Sequence, residues 1–296
     1  MLVEQSKLNW FNQYQSINSC AVRYHGGKYR LAPHIVSYFP THNTYVEPYG
    51  GAASVLLYKQ PSYAEVYNDL DDEIVNFFRV LQDEQLLQIL VKKITVTPTA
   101  RKEFELAWQP TDDPVERARR TIIRAQFGFG SAGATQGHTG FKIDTKREYS
   151  LSFHLWRDYP ENLVAIRNRF MGILIENKPA LEVIKNHDRK DTLFYIDPPY
   201  PKSTRSRERR NAYRYEMTDS EHQQLLELLN EIQGMAIISS YPNKLYKKHL
   251  KHWHYIEKSA AISGNKGTAT RTESLWLNPA CYNSLNQLAL PLRMVL

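Results

Sequence analysis

The sequence predicts an α/β fold with a mainly parallel sheet. Three observations carry that prediction: short apolar or β-branched runs alternate with amphipathic helical patterns, a glycine-containing loop directly follows the first run, and an acidic side chain follows the second. The runs are Thr44-Tyr45-Val46, Ala64 to Tyr67, Ile173 to Ile175, Leu193 to Ile196, Met235 to Ile238 and Ser274 to Leu277. The helical patterns are Asp72 to Lys93, Glu161 to Phe170 and Thr218 to Ile232. The last opens with a capping box, Thr218 preceding Glu221 by three positions.

Residues 1–20 are rich in Gln, Asn and Ser without a clear period and read as a loose arm. From about 97 to 160 the alternation stops: helical stretches, the segment FGFGSAGATQGHTG and many arginines appear, but no buried parallel strand. This interval reads as an insertion that divides one domain into residues 21–96 and 161–296.

The 296 residues suffice for a large core, and a net charge of +7 with a pI near 9.2 suits a polyanionic partner without establishing one. Two cysteines, Cys20 and Cys281, exclude a disulfide framework and a multi-cysteine zinc site, so a cytoplasmic location is expected. No apolar stretch has membrane-spanning length, and the first twenty residues lack a signal-peptide pattern. His249, His252 and His254 lie close together, but without an acid or cysteine at ligand spacing they indicate no metal.

The run Thr44 to Val46 leads directly into Glu47-Pro48-Tyr49-Gly50-Gly51-Ala52-Ala53-Ser54. In a doubly wound sheet, ligands bind at such a strand end, where small residues let them approach the backbone. A GxGxxG fingerprint is missing, which suits a nucleotide-like cofactor without a pyrophosphate. Asp69, about twenty residues on, follows Ala64 to Tyr67 and is placed to accept hydrogen bonds from ribose hydroxyls.

Leu193 to Ile196 ends in Asp197-Pro198-Pro199-Tyr200. Two successive prolines can continue neither a central strand nor a helix, so they hold a rigid extended loop. The Asp197 carboxylate and the Pro198 carbonyl can accept from the two N–H groups of an exocyclic base amine, favouring a tetrahedral nitrogen able to attack a methyl group. Tyr200 can stack on a base swung out of its helix.

Taken in order, these residues resemble the Dam-like adenine-specific DNA methyltransferases, from about Arg23 to Pro279. In that family the cofactor motif precedes a DPPY motif, with the target-recognition region between them. The resemblance implies an S-adenosylmethionine-dependent methyltransferase fold (Rossmann-like, a mixed seven-stranded sheet with one antiparallel strand) and methyl transfer to adenine N6 in double-stranded DNA. Tyr24-His25-Gly26-Gly27-Lys28 is similar to the family's N-terminal glycine-lysine loop, implying cofactor contacts from Tyr24 and Lys28. Glu47-Pro48-Tyr49-Gly50-Gly51 resembles its EPFxG loop, and Asp69 matches its ribose-binding acid. Asp197, Pro198, Pro199 and Tyr200 match the catalytic tetrapeptide. Tyr215 to Asp219, Ile237 to Tyr241 and Gly264 to Gly267 also look like phage-type relatives. A cognate restriction endonuclease acting separately is compatible with the resemblance.

Two positions depart from the family pattern. Ala53 replaces a glycine and is expected to be tolerated only with φ below zero. Pro179, in Glu176-Asn177-Lys178-Pro179, stands where relatives often carry an acid facing the cofactor's adenine, a contact it cannot make. Expected DNA contacts are Arg124, at the end of the charged run from Glu116, and Lys202, Arg205 and Arg207 in the basic stretch after the tetrapeptide. Arg205 is also placed to enter the gap left by an extruded base.

Three alternatives are disfavoured. Resemblance to cytosine-N4 enzymes usually brings Ser instead of Asp197, adenine-N6 RNA enzymes commonly have a shorter gap between the two motifs, and a non-catalytic DNA-binding scaffold would rest on Ala53 and Pro179 alone.

Overall fold

A computed structural model describes residues 17, 20–135, 139–142, 151–205, 211–264 and 267–289. Seven strands form one sheet: β1 (Thr44–Glu47), β2 (Ala64–Asn68), β3 (Leu174–Glu176), β4 (Thr192–Ile196), β5 (Met235–Ser240), β6 (His254–Gly264) and β7 (Gly267–Leu277). Their order is β3-β2-β1-β4-β5-β7-β6. The pairs β3-β2, β2-β1, β1-β4 and β4-β5 are parallel, and β7 runs antiparallel to both β5 and β6. The chain starts in the middle of the sheet and turns back at β4, so the carboxyl ends of β1, β2 and β4 meet beside the point where strand order reverses. Open α/β sheets bind ligands at such a point.

Alternation along the strands explains the two-sided burial. Tyr45, Tyr67, Leu193, Tyr195 and Ile237 face one buried cluster; Val46, Val66, Phe194, Ile196 and Ile238 face the other. On the first face lie α1 (Ala32–Val36), α2 (Ser54–Tyr58), α3 (Asp72–Gln82), α4 (Glu84–Thr95), α5 (Arg101–Leu106), α6 (Pro114–Phe127) and α7 (Leu151–Phe170). Leu225, Leu226 and Leu229 of α9 (Asp219–Glu231) and Tyr246 of α10 (Lys244–His249) cover the second, together with Val183 and Ile184 of α8 (Ala180–His187). The terminal helix α11 spans Pro279–Ala289. The expected capping box at Thr218 is present, with the Glu221 carboxylate accepting from the Thr218 backbone amide and the Thr218 hydroxyl accepting from Glu221 N–H.

Three sequence expectations change. The single helix from Asp72 to Lys93 is two, because Asp83 is extended and its carboxylate accepts from the amides of Gln85 and Leu86, capping α4. The helix expected to begin at Glu161 is the second half of α7, which carries Pro160 inside it, so the domain boundary at 160 falls within a continuous helix. Phe104, Val115, Ile122 and Trp156 share the buried cluster of Tyr67 and Phe78, so the segment 97–160 packs directly on the sheet's helical layer. Among its described residues it adds no strand to the sheet; an isolated antiparallel bridge joins its own Gly128 and Phe141.

Ala53 is the third correction. Its φ is +53°, the only positive value among described non-glycine residues. The turn at Gly50 to Ala53 closes through Ala53 N–H donating to the Gly50 carbonyl, and α2 starts immediately afterwards, leaving no residue in which to restore an extended backbone. The left-handed conformation costs an alanine about 1–2 kcal/mol. Its fully buried methyl returns about 0.8 kcal/mol.

No described helix is long and apolar enough to cross a membrane.

Candidate active site

The carboxyl ends of β1, β2 and β4 open into a cavity of about 270 Å³. The loop after β1 supplies its floor. Gly50 is pressed against Tyr67, where a Cβ would come within 2.2 Å of the ring, and Gly51 has φ +47° under Tyr24, where a Cβ would lie 3.1 Å away. Larger residues would strike these aromatic walls. Asp69 braces the same turn: Oδ2 accepts from Gly51 N–H at 2.8 Å and Oδ1 from Asp71 N–H at 2.8 Å. Burial raises the Asp69 pKa to about 6, although those two amides pull it down.

Glu47 ends β1 and is 2% exposed. Its Oε1 accepts from the Tyr45 hydroxyl at 2.6 Å. Burial outweighs this bond and raises its pKa to about 8, so Glu47 is largely protonated at neutral pH. The Pro48 carbonyl is fixed by Asn68 Nδ2 at 2.8 Å, and Tyr49 lines the cavity beside Pro179 and Leu181, which give it an apolar wall. Asp71 is 3% exposed; it pairs through Oδ1 with Arg214, while its buried Oδ2 has no hydrogen-bond partner among the described residues.

The tetrapeptide after β4 occupies the opposite end. Asp197 Oδ1 accepts from the Ser239 hydroxyl at 2.7 Å, and Oδ2 meets Lys28 Nζ at 2.9 Å. Lys28 also donates to the Gly26 carbonyl at 2.7 Å and sits 4.8 Å from the Tyr200 ring centre. Desolvation lowers its pKa, but the carboxylates of Asp197 and Glu273 outweigh that and raise it, so Lys28 stays charged. The lysine expected at the cofactor thus also holds the carboxylate expected at the target amine. The Pro198 carbonyl has no protein donor among the described residues. Tyr200 is 7% exposed, donates to Glu273 Oε2 at 2.8 Å and lies edge-on to Tyr241.

The expected cofactor residues Tyr24, Lys28, Glu47, Pro48, Tyr49, Gly50, Gly51 and Asp69, together with Asp197 and Pro199, line this one cavity. Two expected DNA contacts do not match their surroundings. Arg124 is 8% exposed, donating to Glu73 Oε2 at 3.0 Å and the Ala107 carbonyl at 2.9 Å, so it ties α6 to α3. Arg205 is also 8% exposed, with Glu216 and the Tyr200 carbonyl occupying its guanidinium. Both lie inside the protein because acids distant in sequence neutralise them. Lys202 is exposed, bonded to Asn211 Oδ1 at 3.1 Å, and Arg207 lies outside the described residues.

Sequence reasoning assigned no role to Tyr213, Arg214 or Met217, which wall the cavity, or to Ser239. Met217 and Ser239 lie in stretches similar to phage-type relatives, the one signal that pointed towards them. The segment after α6 docks against this wall: Thr135 Oγ1 donates to the Ala212 carbonyl at 2.7 Å, and Phe129 in the same segment is 55% exposed. Among the described residues no group of three or more metal-ligating side chains occurs.

A family model described as D12 class N6 adenine-specific DNA methyltransferase matches residues 24–263. The chain is 24% identical over 192 residues to Type II methyltransferase M1.LlaDCHI of Lactococcus lactis subsp. cremoris, covering 59% of this chain and 63% of that one. It is 28% identical over 198 residues to the DNA adenine methylase of Vibrio cholerae serotype O1, covering 62% and 66%. Its match thus spans a little under two thirds of the length of these two relatives. With the DNA adenine methylase of Salmonella typhi it shares 21% identity over 275 residues, covering 87% and 94%.

Proposed function

Because the chain belongs to the D12 class N6 adenine-specific DNA methyltransferase family, we propose that it transfers a methyl group from S-adenosylmethionine to adenine N6 in double-stranded DNA. The observation that carries this reading is the convergence, in one cavity, of an acid-lined glycine turn with an oriented carboxylate that precedes a carbonyl without a protein donor among the described residues.

The cavity's side chains suit that cofactor. Asp69 and the unpartnered Asp71 oxygen are acceptors for ribose hydroxyls, Glu47 can face a cationic group, and Pro179 with Leu181 offers an apolar surface to an adenine ring. When bound, the sulfonium compound supplies an electrophilic methyl group. The protein's part is to make a weak nucleophile competent. Asp197 and the Pro198 carbonyl accept from the two N–H groups of the target amine and draw its lone pair out of conjugation with the ring. Each carboxylate oxygen keeps lone-pair capacity beyond the single donor it already has. Ser239 and Lys28 fix the orientation of the carboxylate, so no reorganisation is needed as charge develops on nitrogen. The segment 97–160 is proposed as the target-recognition region, with Lys202 and Arg207 contacting phosphates.

Incubation with tritium-labelled S-adenosylmethionine and duplex DNA, followed by nucleoside analysis, tests the reading. N6-methyladenine is expected. Label in cytosine, label in RNA alone, or DNA binding without transfer would each overturn it.

A further inference from the structure

The geometry points to Arg205 as a positioning residue that couples the cofactor cavity's wall to the catalytic loop, an inference that rests on the proposed methyl transfer. The side chain is 4% exposed and lies between two elements that the chain separates. On one side, Nε donates to the Tyr200 carbonyl at 2.7 Å, and Nη2 donates to the same oxygen. On the other, Nη1 and Nη2 form a fork on Glu216, at 3.0 and 2.6 Å. The guanidinium also sits 5.4 Å from the Tyr213 ring centre.

Glu216 shapes the wall. Its Oε1 accepts from the backbone amides of Ala212 at 2.7 Å and Tyr213 at 3.0 Å, winding residues 212–216 into a compact turn. That turn presents Tyr213, Arg214 and Met217 to the cavity. Tyr213 closes over Gly26, and Arg214 pairs with Asp71 on the far side. A ligand filling the cavity therefore presses on a turn whose central carboxylate is bonded to the residue holding the Tyr200 carbonyl. The link also reaches the inserted segment through Thr135 and the Ala212 carbonyl.

Only a planar fork can make all four bonds at once. A lysine at 205 keeps the charge, but its single nitrogen can replace at most the two bonds of Nη2 and gives up those of Nε to the Tyr200 carbonyl and of Nη1 to Glu216. The Tyr200 carbonyl lies in the same tetrapeptide as Asp197 and Pro198, three and two residues after the groups proposed as acceptors for the target amine. Loosening it by about 1 Å should cost on the order of 100-fold in turnover.

Hydrogen exchange of the full-length protein with and without S-adenosylmethionine tests the coupling, using Arg205→Lys and Glu216→Gln. In the wild type, cofactor should slow exchange in the wall (24–28 and 211–217) and in the catalytic loop (197–205). Both variants should keep wall protection, lose loop protection and turn over about 10- to 100-fold more slowly at saturating cofactor. Their dependence of DNA affinity on salt should match the wild type. A salt slope lower by about 0.9 would make Arg205 a phosphate ligand and overturn the inference. So would retained loop protection in the variants, wild-type turnover in Glu216→Gln, or a rate loss that disappears once corrected for the folded fraction. Absence of wall protection in the wild type would refute the cofactor reading itself, whereas wall protection without loop protection would refute the coupling alone.

Discussion

Glu47→Gln should stabilise the protein at neutral pH while impairing cofactor binding, because the buried carboxyl opposes folding. Its ordinary pKa is 4.5 and its folded value about 8. Below pH 4.5 both states are protonated and the group is neutral towards stability. Between 4.5 and 8 the unfolded chain ionises while the folded one keeps its proton, so stability falls with rising pH by about 1.4 kcal/mol per unit. At pH 7 the cost is about 3 kcal/mol, and it levels off above pH 8. Glutamine retains an acceptor for the Tyr45 hydroxyl and titrates nowhere. The melting-temperature gap between variant and wild type should therefore be near zero at pH 4.5 and on the order of 5–10 °C at pH 7. Pairing of Glu47 with a cationic group of the cofactor would return its pKa towards 4.5. Binding at pH 7 should then release about 0.9 proton, and Glu47→Gln should release almost none. Calorimetry in buffers of different ionisation enthalpy measures this directly, and pH 7 keeps the contribution of Asp69, whose pKa is about 6, small. Melting curves that stay parallel across pH would refute the burial argument. Equal proton release in both proteins would remove Glu47 from the cofactor's charged end.

The other predictions concern groups whose partners the structure identifies. Asp197→Asn should lower turnover by about two to three orders of magnitude, measured with labelled cofactor. It should also reduce stability by about 1–3 kcal/mol in denaturant titration, since Lys28 loses its counter-ion. Asp69→Asn should weaken S-adenosylmethionine binding by about 1.5–3 kcal/mol in calorimetry and leave DNA affinity unchanged. Arg124→Ala should destabilise the fold by about 1–3 kcal/mol, since Glu73 keeps Arg117 on Oε1 but its Oε2 retains only the Thr121 hydroxyl and the Ala107 carbonyl loses its donor, with no change in the salt slope of DNA binding by fluorescence anisotropy. Ala53→Gly should change stability by less than about 1 kcal/mol in chemical denaturation, because relief of backbone strain is offset by the lost methyl and a more flexible unfolded chain.

What the sequence made legible, and what it hid, follows from the range of the forces involved. The parallel strands, the glycine turn and the acids at positions 47, 69 and 197 are local patterns, and each stands where the structure brings it to the cavity. β6 and the outer part of β7 were missed because an antiparallel hairpin is held by its register, from His254 opposite Leu277 to Gly264 opposite Gly267, and not by the apolar run of either strand alone. The break at Asp83 was missed because one aspartate both ends a helix and begins the next without interrupting the apolar spacing. The arginines show the limit most clearly. Arg124 and Arg205 stand in basic stretches that invite a polyanion, and local charge count could not reveal that Glu73 lies 51 positions before one and Glu216 lies 11 positions after the other. An arginine commits to a protein carboxylate when the fold supplies one in a place that water cannot reach. The desolvation cost of breaking such a pair then exceeds what an exposed phosphate offers in return. Basic residues near this active site therefore divide by burial rather than by sequence. Lys202 is exposed and remains proposed as a phosphate contact, whereas Arg205, five residues from Tyr200 along the chain but enclosed, holds the Tyr200 carbonyl after the tetrapeptide.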